Sequence, residues 1–406
     1  MGNINLYNGD CLDVLKTLPD NSVDSVVTDP PYGLSKEPDI TEVLTHWLND
    51  SEYEHKSTGF MSKSWDSFVP SPLIWKEVFR VLKHGGHLVS FAGSRTQDLM
   101  GMSLRLAGFE IRDTLGFITG SGFPHALDIS KAIDRKFGLE REVVGKGKSG
   151  NQGHVRYTKA NLDVGNKKTR DNRNTEFAEK YNKDSFDITV PNHELAKQYD
   201  DFKTNLKPAI EPIILARKPI SEKTIVDNVI KHGVGGLNIG INRVSYTDDN
   251  PPIPQLVQGK VNVDSKKTMY DGNSLQKSKT KAIIGGSLKG RYPANVIIEE
   301  GVKIDKNNSD RFFNTVFYGK KVSKRDRTNN GQVENNHPTV KSVEVMEWLV
   351  RLLTPKNGVC FDPFMGSGST GKACKRLGFG FIGIELDKNY FEIAEKRIEG
   401  TPERMF

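Results

Sequence analysis

The 406-residue chain is 36% hydrophobic and 27% charged, slightly to the polar side of an ordinary soluble globular protein; its length suits two or three domain-sized units, or one elaborated α/β domain with solvated insertions. No window approaches the roughly 18 consecutive apolar residues of a membrane span, and the opening MGNINLYNGD has neither a basic nor an apolar targeting region, so a cytoplasmic protein with no membrane association is expected. The net charge of +7 is unevenly placed: residues 141–330 hold 35 Lys and Arg against 22 Asp and Glu, so the basic character belongs to the middle of the chain.

In chain order, NSVDSVVTD ends a strand at Asp29, and PLIWKEVFRVLKHGG has helical spacing with Pro72 near its start and Gly85 past its end. HLVSFAG follows as a buried strand, TQDLMGMSLRLAGF as a helix and IRDTLGFIT as a strand. Strands separated by helices of this length imply βαβ units and a parallel sheet. Between about Gly145 and Asn205 the residues are mostly Lys, Asn, Asp, Gly and Thr with no sustained period, which reads as a polar, flexible insertion.

LKPAIEPIILARKP then supplies an apolar core, Ile213 to Ala216, expected as a strand returning to the sheet. From Ile220 to about Asn336 the pattern is irregular again, with glycine-rich turns, a PPIP segment, the short apolar run ANVIIEE and the cluster YGKKVSKRDR. Clear α/β texture returns at the end, with the helix VKSVEVMEWLVRLLTP, the strand VCFDPF, the turn MGSGST, the helix GKACKRLGF, the strand FGFIGIELD and a closing helix through NYFEIAEKRI. The expected boundaries are therefore 1–144 and 336–406 for two halves of one α/β domain, 145–205 for the polar insertion, 206–219 for the returning strand and 220–335 for a separate inserted region.

Two motifs carry chemistry. In FDPFMGSGST a strand runs into Asp362, then Gly366 and Gly368, and a helix starts near Ser369, so the backbone turns tightly at the carboxyl edge of the sheet. The spacing is neither the dinucleotide fingerprint nor a phosphate P-loop. A glycine turn alone can be a turn and nothing more; the second acid, Glu385, at the end of the next strand is what points to a ligand. Glu385 suits the two hydroxyls of a ribose and Asp362 a cationic amino group, which fits a ligand with a nucleoside end and an amino acid end, S-adenosylmethionine being the common one.

The other motif is TDPPYG. Asp29 stands at a strand's carboxyl end, and Pro30 and Pro31 hold it and the following carbonyl in a rigid, extended presentation with few competing donors. Tyr32 adds a flat face and Gly33 permits a sharp exit. Acceptors beside an aromatic face make a cradle for a planar amine.

DPPY with a downstream DPFMGSGST and GIELDKNYFEIAEKRI resembles the amino-directed DNA methyltransferases, which methylate the exocyclic nitrogen of adenine or cytosine. The resemblance implies an α/β fold: an S-adenosylmethionine-dependent, Rossmann-like sheet with helices on both faces. Catalytic motif first and cofactor motif last is the β-type permutation, with an inserted target-recognition region, here 220–335. It puts the target amine on Asp29 and the Pro30 carbonyl, with Pro31 stiffening the arm and Tyr32 stacking on a flipped base. It gives the cofactor to Asp10, to Asp362, Phe364, Gly366, Ser367 and Gly368 of the glycine turn, and to Glu385. NNHPTVKSVEVMEWLV is similar to the family's HPTxKP segment, which adds His337, Thr339 and Lys341, although Ser342 stands where the family has proline. LKPAIEPIILARKP and RYPANVII are similar to segments of phage and prophage methyltransferases.

The implied partner is double-stranded DNA, with a homodimer left open. Lys320, Lys321, Lys324, Arg325 and Arg327 beside Phe317 and Tyr318 suit phosphate neutralisation, with a merely solvated basic face as the alternative. Cys11, Cys360 and Cys374 are widely spaced and none directly follows a proline, which argues against carbon-5 methylation through a cysteine nucleophile. The nine histidines show no ligand spacing, so no metal is expected. Asp at position 29 favours adenine N6 over cytosine N4, where the family more often carries Ser. RNA or protein amide methylation, usually with Asn there, and a non-catalytic DNA-binding protein are the more distant alternatives. No nuclease or helicase signature is visible, so a free-standing, site-specific modification enzyme is expected.

Overall fold

The carboxyl ends of the two motif-bearing strands lie side by side in a computed structural model that describes residues 2–33, 38–55, 68–120, 126–148, 185–245, 290–300, 302, 313–316, 324–337 and 339–402. The strands are β1 (Ile4–Asn8), β2 (Val23–Thr28), β3 (Leu82–Phe91), β4 (Glu110–Ile118), β5 (Glu142–Lys148), β6 (Ser185–Val190), β7 (Ile210–Arg217), β8 (Val296–Glu299), β9 (Asn314–Val316), β10 (Val359–Asp362) and β11 (Gly380–Glu385). Nine of them make one sheet in the order β1-β11-β10-β2-β3-β7-β4-β8-β9. Neighbours are parallel except at β7, which runs antiparallel to both β3 and β4. Strands from the two ends of the chain interleave, so segments far apart in sequence close one sheet.

Alternation along each strand sends side chains to two faces. Val27, Val89, Phe91, Ile213 and Leu215 join the core under the helices Val343–Leu353, Ser369–Leu377 and Lys388–Glu399. Val26, Leu88, Ile214, Phe361 and Ile382 join the opposite core, under the helices Cys11–Thr17, Pro72–Val81 and Gln97–Leu106. Each fully buried Val, Leu, Ile or Phe contributes roughly 1.5–3 kcal/mol, so covering both faces dominates the stability of this unit.

The chain forms two compact units, Met1–Ser121 with Ala209–Phe406, and Gly122–Pro208. In the second, β5 pairs with β6 and the helices are Ile129–Lys136 and Glu194–Gln198. Arg141 bonds the buried Asp134 at 2.9 Å, and Asp134 also accepts the His193 amide at 2.9 Å. The stretch 145–205, expected as an irregular insertion, thus holds a strand: SFDITV alternates Phe186, Ile188 and Val190 within a polar composition that hid the period. Residues 149–184 of that stretch lie outside the described residues.

Two further departures from the sequence reading have physical causes. The helix at 72 ends at Val81 and β3 starts at Leu82, because Leu82 already pairs with Val23, ahead of an irregularity between Val23 and Ser25. Gly85 sits inside that strand at φ +81°, where a Cβ would strike the Asn228 amide that bonds the His84 carbonyl at 2.8 Å. ANVIIEE and β9, both within 220–335, extend the main sheet beside β4; residues 246–289, 301, 303–312 and 317–323 of that region are not described. Among the described residues no helix is long and apolar enough to cross a membrane.

Candidate active site

Four parallel strands, β1, β11, β10 and β2, end at one edge of the sheet, and each delivers a carboxyl group there or just beyond. Asn8 is opposite Glu385 in the β1–β11 pairing, and its amide reaches the Glu385 carbonyl at 2.8 Å, so Asp10 follows two residues past that end. Phe361 pairs with Val26, which brings Asp362 and Asp29 to the same edge from positions more than three hundred residues apart. Open α/β sheets bind ligands at such edges.

At the end of β2, the Tyr32 hydroxyl donates to Asp29 Oδ1 at 2.7 Å and Thr96 holds the Tyr32 carbonyl at 2.5 Å. Gly33 exits at φ +66°, where a Cβ would lie 3.0 Å from the Val69 nitrogen; glycine is required for the chain to pass. Lys341 crosses to this corner: its Nζ donates to the Tyr32 hydroxyl at 2.8 Å and lies 3.1 Å from Asp29 Oδ1 and 3.2 Å from Glu211 Oε2. Burial pushes the Asp29 carboxyl up from its ordinary range, against the pull of the Lys341 ammonium. It also raises the Tyr32 phenol well above its usual value, with Asp29 adding to the shift.

The glycine turn forms the adjacent half. Asp362, 2% exposed, accepts from Thr28 at 2.7 Å, from Thr370 at 2.7 Å and from the Phe364 amide at 3.1 Å. Burial still raises its carboxyl to about 6. Glu385 accepts from the Gly366 amide at 2.8 Å and the Asp387 amide at 2.8 Å, and burial raises it to about 7. Gly366 (φ +53°) and Gly368 (φ +80°) take the left-handed turn, and a Cβ on Gly366 would lie 3.1 Å from His337 Nε2. Phe364 meets the Trp75 ring edge-on at 6.0 Å. Ser367 is buried, its hydroxyl taking a 2.9 Å bond from Arg397. Asp10 is exposed and caps the helix Cys11–Thr17 through the Leu12 amide at 2.8 Å.

The 337–341 segment divides between the two halves. His337 packs on Tyr390 with ring centroids 4.4 Å apart, accepts the Thr339 amide at 3.3 Å, and is lowered to about 4 by burial, with Arg327 and Arg397 adding to the shift. Thr339 is exposed. Lys341, expected on the cofactor side by resemblance, reaches the Asp29 corner instead, while its carbonyl takes the Ser369 hydroxyl at 2.9 Å.

Of the basic cluster, Lys320 and Lys321 lie outside the described residues, and Lys324 and Arg325 belong to the short helix Lys324–Arg327. Arg327 is turned inward: Nε donates to the Asn335 carbonyl at 2.9 Å and an Nη donates to the His337 carbonyl. It braces the segment that leads to Lys341. The sequence reading also missed Thr28, Thr370 and Glu211. The first two were hidden as ordinary strand and helix-start residues, whereas Glu211 had one available signal, an acid immediately before the buried run PIILA.

The donor set fits a cofactor with a nucleoside and an amino acid end. Glu385 presents a half-buried carboxylate beside a turn whose Gly366 and Gly368 carry no side chain, and Asp10 offers a second, exposed acid past the neighbouring strand. Asp362 is held by three protein donors, so it shapes the turn rather than offering a free carboxylate. Burial raises the Cys11 thiol to about 12 and holds Cys374 well above its usual value, which leaves neither as a ready nucleophile. Among the described residues no group of three or more His, Cys, Asp or Glu could hold a metal ion.

A family model described as DNA methylase, for N6 and N4 enzymes, matches residues 23–396. The type II methyltransferase M.HindIII of Haemophilus influenzae is 22% identical over 97% of this chain and 94% of its own. The type II methyltransferase M2.LlaDCHI of Lactococcus lactis subsp. cremoris is 47% identical, over 15% of this chain and 23% of that protein; short matches of this kind span about a quarter of the relative's length. Among solved structures, PvuII DNA methyltransferase (cytosine-N4-specific) aligns at 14% identity over 98% of this chain and 86% of that one, with a TM-score of 0.46.

Proposed function

The chain belongs to the DNA methylase family of N6- and N4-directed enzymes, and from that membership we propose that it methylates the exocyclic N6 amino group of adenine at a specific site in double-stranded DNA. The observation that carries the reading is the Asp29–Tyr32 corner on β2 next to the Asp362–Gly368 turn on β10, parallel neighbours in one sheet. Asp rather than Ser at position 29 favours adenine over cytosine N4.

S-Adenosylmethionine supplies the electrophilic methyl group when bound, at the turn between Asp362 and Gly368, with Glu385 and Asp10 toward its nucleoside end and His337 beside Gly366. An exocyclic amino nitrogen is a poor nucleophile because its lone pair is delocalised into the ring. Asp29 and the Pro30 carbonyl accept hydrogen bonds from its two N–H groups, hold it in line for displacement of the sulfonium's thioether and favour the rehybridised nitrogen as positive charge grows there, and the methylated nitrogen then loses one proton to Asp29 or to solvent. The base must leave the duplex, at a few kcal/mol, and stacking on Tyr32 recovers about 1–3 kcal/mol of that. No covalent enzyme intermediate is needed.

The basic middle of the chain, 220–335 above all, is the target-recognition region in this reading. Lys320, Lys321, Lys324 and Arg325 contact phosphates, and the protein works in the cytoplasm as a modification enzyme. The test is to incubate the protein with plasmid DNA and labelled S-adenosylmethionine and digest to nucleosides. N6-methyladenine supports the reading, and N4-methylcytosine alone replaces adenine by cytosine. Label in RNA or protein but not in DNA overturns it.

A further inference from the structure

The Asp29 carboxyl group already has a nitrogen donor. Lys341 Nζ lies 3.1 Å from Oδ1, the same oxygen that takes the Tyr32 hydroxyl at 2.7 Å. The ammonium sits 4.8 Å from the centre of the Phe91 ring and 5.1 Å from that of Tyr32. A primary amine paired with Asp29 beside an aromatic face is the placement that the proposed reaction asks of its substrate, so Lys341 holds the place of the target amino group. Its backbone is fixed by the Ser369 hydroxyl on its carbonyl, so the side chain is the part that can yield.

Glu211 stands on the other side of the ammonium. It lies at the start of β7, which runs against its neighbours and therefore begins where β3 ends. Its Oε2 is 3.2 Å from Lys341 Nζ, yet the angle is outside hydrogen-bond geometry, so this oxygen is buried with a charge beside it and without a hydrogen-bond donor among the described residues. A buried carboxylate oxygen in that state is costly, and a lysine ammonium on a flexible stem can turn to satisfy it.

Given the reading of Asp29 and Tyr32 above, on which this step rests, we infer that Glu211 is a positioning residue that takes the Lys341 ammonium when the target amino group displaces it from Asp29. Before the base enters, the ammonium sits between the two carboxylates, 3.1 Å from Asp29 and 3.2 Å from Glu211. Drawing the ammonium to Glu211 frees the Oδ1 acceptor for the target amino group before the chemical step.

The test is steady-state methylation of DNA by Glu211→Gln, Glu211→Asp, Lys341→Met and the double variant Glu211→Gln with Lys341→Met, with S-adenosylmethionine affinity measured by calorimetry as a check of folding. Glu211→Gln should raise KM for DNA about tenfold with little change in kcat, because displacement of the lysine is opposed before the chemical step. Glu211→Asp keeps the charge and should stay within about threefold of wild type. In the Lys341→Met background Glu211→Gln should add nothing, since no ammonium has to be moved; Lys341→Gln serves as a second background should Lys341→Met lose cofactor binding. A wild-type KM in Glu211→Gln, or its full defect persisting without the lysine, overturns the inference. A wild-type chain that methylates no DNA removes the functional reading and this step with it.

Discussion

The Thr28 hydroxyl donates to Asp362 Oδ1 at 2.7 Å, joining the last residue of β2 to the last residue of β10. Asp29, next along the chain, and the Asp362–Gly368 turn are thereby held to one another by a side-chain bond as well as by the sheet.

Thr28→Val should expose what that bond does through pH. Burial raises Asp362 to about 6, and the Thr28 bond opposes the shift by favouring the ionised form. With Asp362 protonated, at pH 4.5, the loss of one donor to its ionised form matters little. Above pH 6 the variant must hold a buried carboxylate with one donor fewer, at roughly 1–3 kcal/mol. Urea midpoints should therefore lie near wild type at pH 4.5 and well below it at pH 7.5. An equal loss at both values would contradict the assignment.

Cofactor affinity should rise with pH through about 7, the value to which burial lifts Glu385. Binding a ribose through its hydroxyls needs the ionised carboxylate, so the empty site must first lose a proton below that pH, and affinity levels off above it. Glu385→Gln should weaken S-adenosylmethionine by about tenfold, the loss of one charge-assisted hydrogen bond, and flatten the pH dependence. Calorimetry between pH 5.5 and 8.5 reads both effects.

Asp29→Ala should separate binding from chemistry. Removing the acceptor that holds the target amine should lower kcat by about two to three orders of magnitude, the usual scale for one preorganised electrostatic partner. S-Adenosylmethionine affinity should stay within about threefold, because the Glu385 and Gly366 side of the site is intact. Tyr32→Phe keeps the stacking face and loses only the hydroxyl bond to Asp29, so its defect should be the smaller of the two. Single-turnover methylation with cofactor binding measured alongside distinguishes these cases.

Arg327→Ala should behave unlike its basic neighbours. The inward guanidinium serves the Asn335 and His337 carbonyls, so its loss should destabilise the fold by about 1–3 kcal/mol and leave the salt dependence of DNA binding unchanged. Lys321→Ala should do the reverse, lowering the slope of log affinity against log salt by about 1 without altering the melting temperature. Filter binding across a salt series, paired with thermal melts, tests the contrast.

What could be read from the sequence follows where local pattern and burial coincide. The Ile213–Ala216 run was legible as a short unbroken apolar block, β2 and β4 because β-branched and aromatic residues recur in short stretches between helical segments, and the two motifs because proline and glycine leave few backbone options. β6 was not, since Phe186, Ile188 and Val190 alternate with polar residues in a segment whose composition says loop. The start of β3 was hidden because Leu82 continues the helical spacing of the preceding residues and only its pairing with Val23 decides the matter. Lys341 illustrates a different limit: the spacing of its segment locates the backbone beside the glycine turn, but five side-chain bonds of reach carry the charge to another corner. Glu211 depends on strand direction, which no local pattern encodes.

That direction has a consequence for how the chain can change. Ile118 at the end of β4 faces Ile210 at the start of β7, and the Thr119 amide bonds the Ala209 carbonyl at 2.9 Å, so the chain leaves the sheet and returns to it at adjacent rungs of one ladder. The residues between 121 and 209 in sequence therefore enter between adjacent rungs of one ladder. Material can be lengthened, exchanged or trimmed there without stretching a strand or shifting the register of its neighbours.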